Sequence, residues 1–110
     1  MPNVKIYVEE SLLAARHNNF KAMLKPLRDT LMAEFSAPQS VCHLTLVPAL
    51  GLEDQTRVLV DVHYLSMPER TPEMAEQAAQ ALRAVVVRET GEKPAVRAIS
   101  LGADIYVALG

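Results

Sequence analysis

Pro2 stands where removal of Met1 would leave its nitrogen as a free secondary amine. An α-amino group titrates at roughly 7.7 to 8.0, and burial or nearby cations disfavour its charged form, so such an amine could serve as a base near neutral pH. Proline is equally what a strand tolerates at a chain start, where the missing N–H is harmless. Arg70 lies just before Thr71-Pro72-Glu73, the start of a helix, where the dipole and free N–H groups favour a carboxylate and a guanidinium fork could bind it bidentately. The alternative is a solvated arginine near Glu69 or Glu73. Arg97 falls among apolar strand residues, which suits a subunit contact, an acid partner or a pocket. Tyr106 could donate a hydrogen bond to a substrate oxygen or pack as part of the tail.

The other reactive side chains carry less signal. Cys42 is the only cysteine and has no sequence neighbour that would lower its pKa, so it reads as a small buried apolar residue and no internal disulfide can form. His17, His43 and His63 lack ligand spacing, so no metal site is expected. A net charge of -2 and seven scattered arginines give a polyanion nothing to bind, which argues against nucleic acid as a partner. Half the residues are hydrophobic and 22% are charged, the composition of a globular domain. No run approaches the roughly 20 apolar residues of a membrane span, and the N-terminus MPNVKIYVEE has no leader pattern. The chain therefore reads as one cytosolic domain over 1–110, with no membrane partner.

The elements that must position these residues follow from periodicity. Over 2–8, Val4, Ile6 and Val8 alternate with Asn3, Lys5 and Tyr7, which predicts a strand with one buried face. From Phe20 the spacing turns helical through Met23, Leu24, Leu27, Leu31 and Phe35, with Asn18 or Asn19 as cap and Pro26 expected to kink the helix or displace its start. Residues 41–48 (VCHLTLVP) and 57–65 (RVLVDVHYL) read as strands. Thr71 caps a second helix with Pro72 in its first turn, and Gly91 stops it. A last strand is predicted over about 96–101, with IYVAL at 105–109 either a further short strand or a packed tail.

Strand, helix, strand thus occurs twice, over about 2–48 and 57–101. Pro38, Val41, Leu44 and Leu46 match Pro94, Val96, Ile99 and Leu101. Two consecutive βαβ units predict an α+β domain with a four-stranded sheet and both helices on one face. The bare face of the sheet needs cover, which predicts an oligomer.

On the opening MPNVKIYV, the segment SAPQSVCHLTLVP and the segment VDVHYLSMPERTPEMAEQAAQAL, the chain resembles the tautomerase superfamily, within it 5-carboxymethyl-2-hydroxymuconate isomerase. It shares with that enzyme a proline in the first helix, at Pro26, and a strand followed by a triplet like Gly-Arg-Ser, here Glu69-Arg70-Thr71. The resemblance implies a tautomerase/MIF-like fold, a homotrimer with sheets turned inward, and Pro2 as the catalytic amine moving a proton on a small unsaturated acid without a cofactor. Arginines that relatives use to hold carboxylates are absent from the first unit, where Leu12 and Cys42 stand. The second unit keeps arginine at the corresponding places, Arg70 and Arg97, so these are the implied substrate anchors. The alternatives are hydration or dehalogenation of a small unsaturated acid, and an oligomeric binding protein without activity.

Overall fold

The computed structural model describes residues 2–110. Met1, whose removal the sequence reading invokes, lies outside the described residues. In chain order the elements are β1 (Asn3–Glu9), α1 (Glu10–Ala15), α2 (His17–Phe35), β2 (His43–Ala49), β3 (Val58–Leu65), α3 (Pro72–Thr90) and β4 (Ala95–Leu101). The sheet order is β2-β1-β3-β4. β1 and β2 run parallel, β3 and β4 run parallel, and the two units meet as antiparallel β1 and β3. Two βαβ units in one four-stranded sheet are what the sequence predicts.

Alternation along the strands decides which face is dry. Val4, Ile6 and Val8 of β1 and Val58, Val60, Val62 and Tyr64 of β3 are buried. They form one core with Phe20, Met23, Leu27, Leu31 and Phe35 of α2 and Ala78, Leu82, Val85 and Val86 of α3. The buried positions Met23, Leu27, Leu31 and Phe35 recur at the same spacing as Ala78, Leu82, Val86 and Thr90, so the repeat is plainest in the helices. The return to the sheet is shorter in the second unit, Gly91–Pro94 against Ser36–Cys42. Leu44 and Leu46 therefore answer to Val96 and Ala98 by register, rather than to Ile99 and Leu101.

The first helical region departs from expectation. Asn18 and Asn19 lie inside α2, and the chain breaks at Arg16 (φ -125°) between α1 and α2. The Glu9 side chain starts α1 by accepting hydrogen bonds from Ser11 N at 3.1 Å and Leu12 N at 3.0 Å. α2 continues through Pro26 without interruption. Apolar anchors on both sides of it, Phe20 and Met23 before and Leu27 and Leu31 after, hold the helix on the sheet and outweigh the lost backbone bond. α3 begins and ends as predicted: Thr71 Oγ1 accepts from Met74 N at 3.2 Å, and Gly91 takes φ 75°. Residues 105–109 form no strand; they are a tail with Ile105, Val107 and Leu109 exposed.

Two arginines tie the units together. Arg16, before α2, donates through Nη1 to the carbonyl of Thr90, the last residue of α3. Arg70, before α3, donates through Nη2 to the carbonyl of Phe35, the last residue of α2, at 3.3 Å. Each guanidinium sits on a helix C-terminus, where orphan carbonyls and the dipole favour a cation. The helices are consequently antiparallel, end to end.

Candidate active site

Pro2 is buried at the end of β1, and its carbonyl accepts from His43 N at 3.3 Å. Register places Asn3 beside His43 on β2 and His63 on β3. One residue further back, Pro2 falls between Cys42 and Tyr64, both buried on the helix side of the sheet. Tyr64 stacks on Phe35, with ring centroids 5.1 Å apart. The Arg70 guanidinium lies 5.5 Å from the centre of the same Phe35 ring. Pro2 thus begins a cluster of Cys42, Tyr64, Phe35 and Arg70 assembled from the entry to β2, β3, α2 and the turn before α3.

Arg70 stands at this end of the sheet, and its donors have local partners. Nη1 donates to the Leu65 carbonyl at 2.8 Å and Nη2 to Phe35, while Nε is buried without a hydrogen-bond partner. A second guanidinium, Arg28 of α2, lines a groove together with Cys42. Burial pushes the Cys42 thiol up, while the charges of Arg28 and Arg70 act against that rise. The thiol is therefore neutral at physiological pH. Arg28 and Tyr64 are the residues that sequence reasoning did not single out. Their signals were present in outline: Arg28 follows Lys21 and Lys25 at helical spacing, and Tyr64 shares the parity of the buried residues of β3.

Arg97 and Tyr106 lie elsewhere within the chain. Arg97 stands on the open face of β4, opposite Asp61 and two strands away from Lys5. It lines a cavity of about 400 Å³ with Tyr7, Leu50, Leu52, Arg57 and Leu59 at the far end of β1 from Pro2. Tyr106 is half-buried in the tail beyond β4. That tail leaves the sheet at Pro2's end, since Leu101 pairs with Leu65 and its carbonyl accepts from Ser66 N at 2.8 Å. Among the described residues no three His, Cys, Asp or Glu side chains gather as a metal site, and no helix is long and apolar enough to cross a membrane.

No protein-family model matches the chain, and no curated protein matches it. Solved structures do. The Pt0534 protein inactivated by 2-oxo-3-pentynoate aligns with a TM-score of 0.79 and 19% identity, over 98% of this chain and 92% of that one. A macrophage migration inhibitory factor-like protein from Entamoeba histolytica aligns at 0.73 and 11% identity, over 97% and 94%. Malonate semialdehyde decarboxylase, whose structures address decarboxylase and hydratase activities, aligns at 0.67 and 15% identity, over 94% and 88%. With its paired βαβ units and a buried proline opening the first strand, the chain has the tautomerase/MIF-like fold.

Proposed function

We propose that this chain is a cytoplasmic, cofactor-independent tautomerase or isomerase of small unsaturated mono- or dicarboxylic acids, with Pro2 as general base once Met1 is removed. The observation that carries the reading is the position of Pro2: buried at a sheet end, beside Cys42 and Tyr64, with the charges of Arg28 and Arg70 converging on the same corner. Nearby cations lower the pKa of an amine and leave more of it neutral. The neutral amine takes the proton from a substrate hydroxyl or from the carbon next to a carbonyl. The resulting ammonium returns it to the other atom, so the double bond moves and the amine is regenerated. A base so placed contributes roughly 10²- to 10⁴-fold. Positive charge near the transient enolate lowers the barrier further, the task assigned to Arg70.

In this proposal the protein is a homotrimer, and Arg97 and Tyr106 act from neighbouring copies. Arg97 lies on the uncovered sheet face and Tyr106 on an exposed apolar tail, both suited to subunit contact. The reaction of 5-carboxymethyl-2-hydroxymuconate isomerase, part of aromatic-compound catabolism, is the finer form of the reading. A second reading, hydration with the proline as acid, is favoured by the hydratase activity named for one fold neighbour. The test uses protein whose N-terminus is verified by mass spectrometry, with phenylenolpyruvate and 2-hydroxymuconate as substrates. Ketonisation followed by absorbance is expected for the processed protein and is expected to fall at least about 100-fold in Pro2→Ala. Equal rates would remove Pro2 from the chemistry.

A further inference from the structure

α2 turns a row of cations towards β2. Lys21, Lys25 and Arg28 line one side of a groove of about 490 Å³ whose other side is Cys42, His43 and Leu44. The strand wall of this groove adjoins Pro2, whose carbonyl accepts from His43 N at 3.3 Å. Lys25 is paired with Asp29 at 3.3 Å. Arg28 has no such partner: among the described residues no carboxylate lies within 4.0 Å of it, and its Nε is buried without a hydrogen bond. A guanidinium with no partner in its own chain pairs best with a carboxylate that accepts from two of its N–H groups. Arg70 is less free for this, since its Nη groups already hold the Leu65 and Phe35 carbonyls.

We infer that Arg28 is the carboxylate anchor of the Pro2 site and that the groove between α2 and β2 is its substrate channel. The ligand class is an elongated carboxylic acid, its carbon chain lying on Leu24, Leu44 and Cys42 and its carboxylate on Arg28. The inference deepens the proposed function and rests on it for the reacting end of the substrate, but the anion site itself exists whether or not Pro2 is a base.

The probe is adipate, a saturated dicarboxylate that cannot tautomerise, titrated calorimetrically into the processed protein, Arg28→Lys and Arg28→Met. Circular dichroism melts verify that each variant folds. Binding by the wild type is expected to weaken at least about tenfold in Arg28→Met and to be partly restored in Arg28→Lys. Equal affinity for wild type and Arg28→Met, or no binding to the wild type, overturns the inference. The two proposals fail separately. Arg28-dependent binding without turnover sinks the catalytic reading alone, and Pro2-dependent turnover with an unchanged KM in Arg28→Met sinks the anchor alone.

Discussion

Glu9 shows how one side chain sets the entry to the first helical region. Its carboxylate is held below the usual carboxyl range by the Ser11 hydroxyl at 2.6 Å, then by the backbone N–H groups of Ser11 and Leu12. A lowered folded pKa means that the cap is fully stabilising above the ordinary value of 4.5 and is lost as pH falls through the lower folded value. Glu9→Gln is therefore expected to melt below the wild type at neutral pH, with the gap closing as both are acidified through the lowered folded value. A gap that stays constant with pH would mean that the charge plays no part. Arg70 illustrates the opposite limit of residue-scale reading. Its place before a helix start suggests an anion site, and it does stand at Pro2's end of the sheet. What the sequence hides is that the C-terminus of α2 ends beside it, so that the Phe35 and Leu65 carbonyls take its donors. Arg28 was hidden for a complementary reason, because a cation on the polar side of a helix looks solvated until the neighbouring strand is in place.

At the scale of elements, local chemistry was legible wherever it was self-contained. Thr71, Pro72 and Gly91 marked both ends of α3, because a cap, a fixed φ and a left-handed residue act within one turn. The alternation in β1 and β3 marked the dry face of the sheet. The start of α2 was not legible. Asn18 and Asn19 look like caps, yet Asn19 Nδ2 donates to the Glu89 carbonyl at 3.3 Å and Arg16 reaches Thr90, contacts to α3 that no local pattern announces. The helix ends give a paired prediction. α3 stops on Gly91 at φ 75°, whereas α2 stops on Ser36 at φ 50°, a conformation that favours glycine. Ser36→Gly is expected to stabilise the fold by up to about 1 kcal/mol, and Gly91→Ala to destabilise it by about 1 kcal/mol or more. A Cβ at position 91 would also stand 3.2 Å from Arg16 Nη1, against the guanidinium that joins the two units. Urea midpoints measure both; a shift of Ser36→Gly to lower urea would mean that the hydroxyl matters more than the backbone.

For the whole molecule the question is what covers the open side of the sheet. Asp61 lies between Lys5 and Arg97 across three strands, and His63 Nε2 is 3.5 Å from Asp61 Oδ1. Ile99 and Leu59 flank this row and stay apolar on the uncovered side. Alternating charges directly opposite one another attract weakly in water and more strongly once a second surface excludes it. The tail adds three exposed apolar side chains, Ile105, Val107 and Leu109, which are 80%, 79% and 93% exposed. Both features fit a homotrimer with its sheets turned inward, where Arg97 would leave the far end of its own chain's sheet and meet a neighbouring copy. Sedimentation equilibrium is expected to give the wild type three times the chain mass. Ile99→Glu should dissociate it, because it replaces an apolar contact at the interface with a carboxylate that must lose its water. Removal of 105–110 should weaken assembly without unfolding the monomer, since the tail contributes nothing to the buried core. If the wild type sediments as a monomer, the sheet face has some other cover, and Arg97 and Tyr106 lose their route to Pro2. If Ile99→Glu remains a trimer, the subunits meet through another surface.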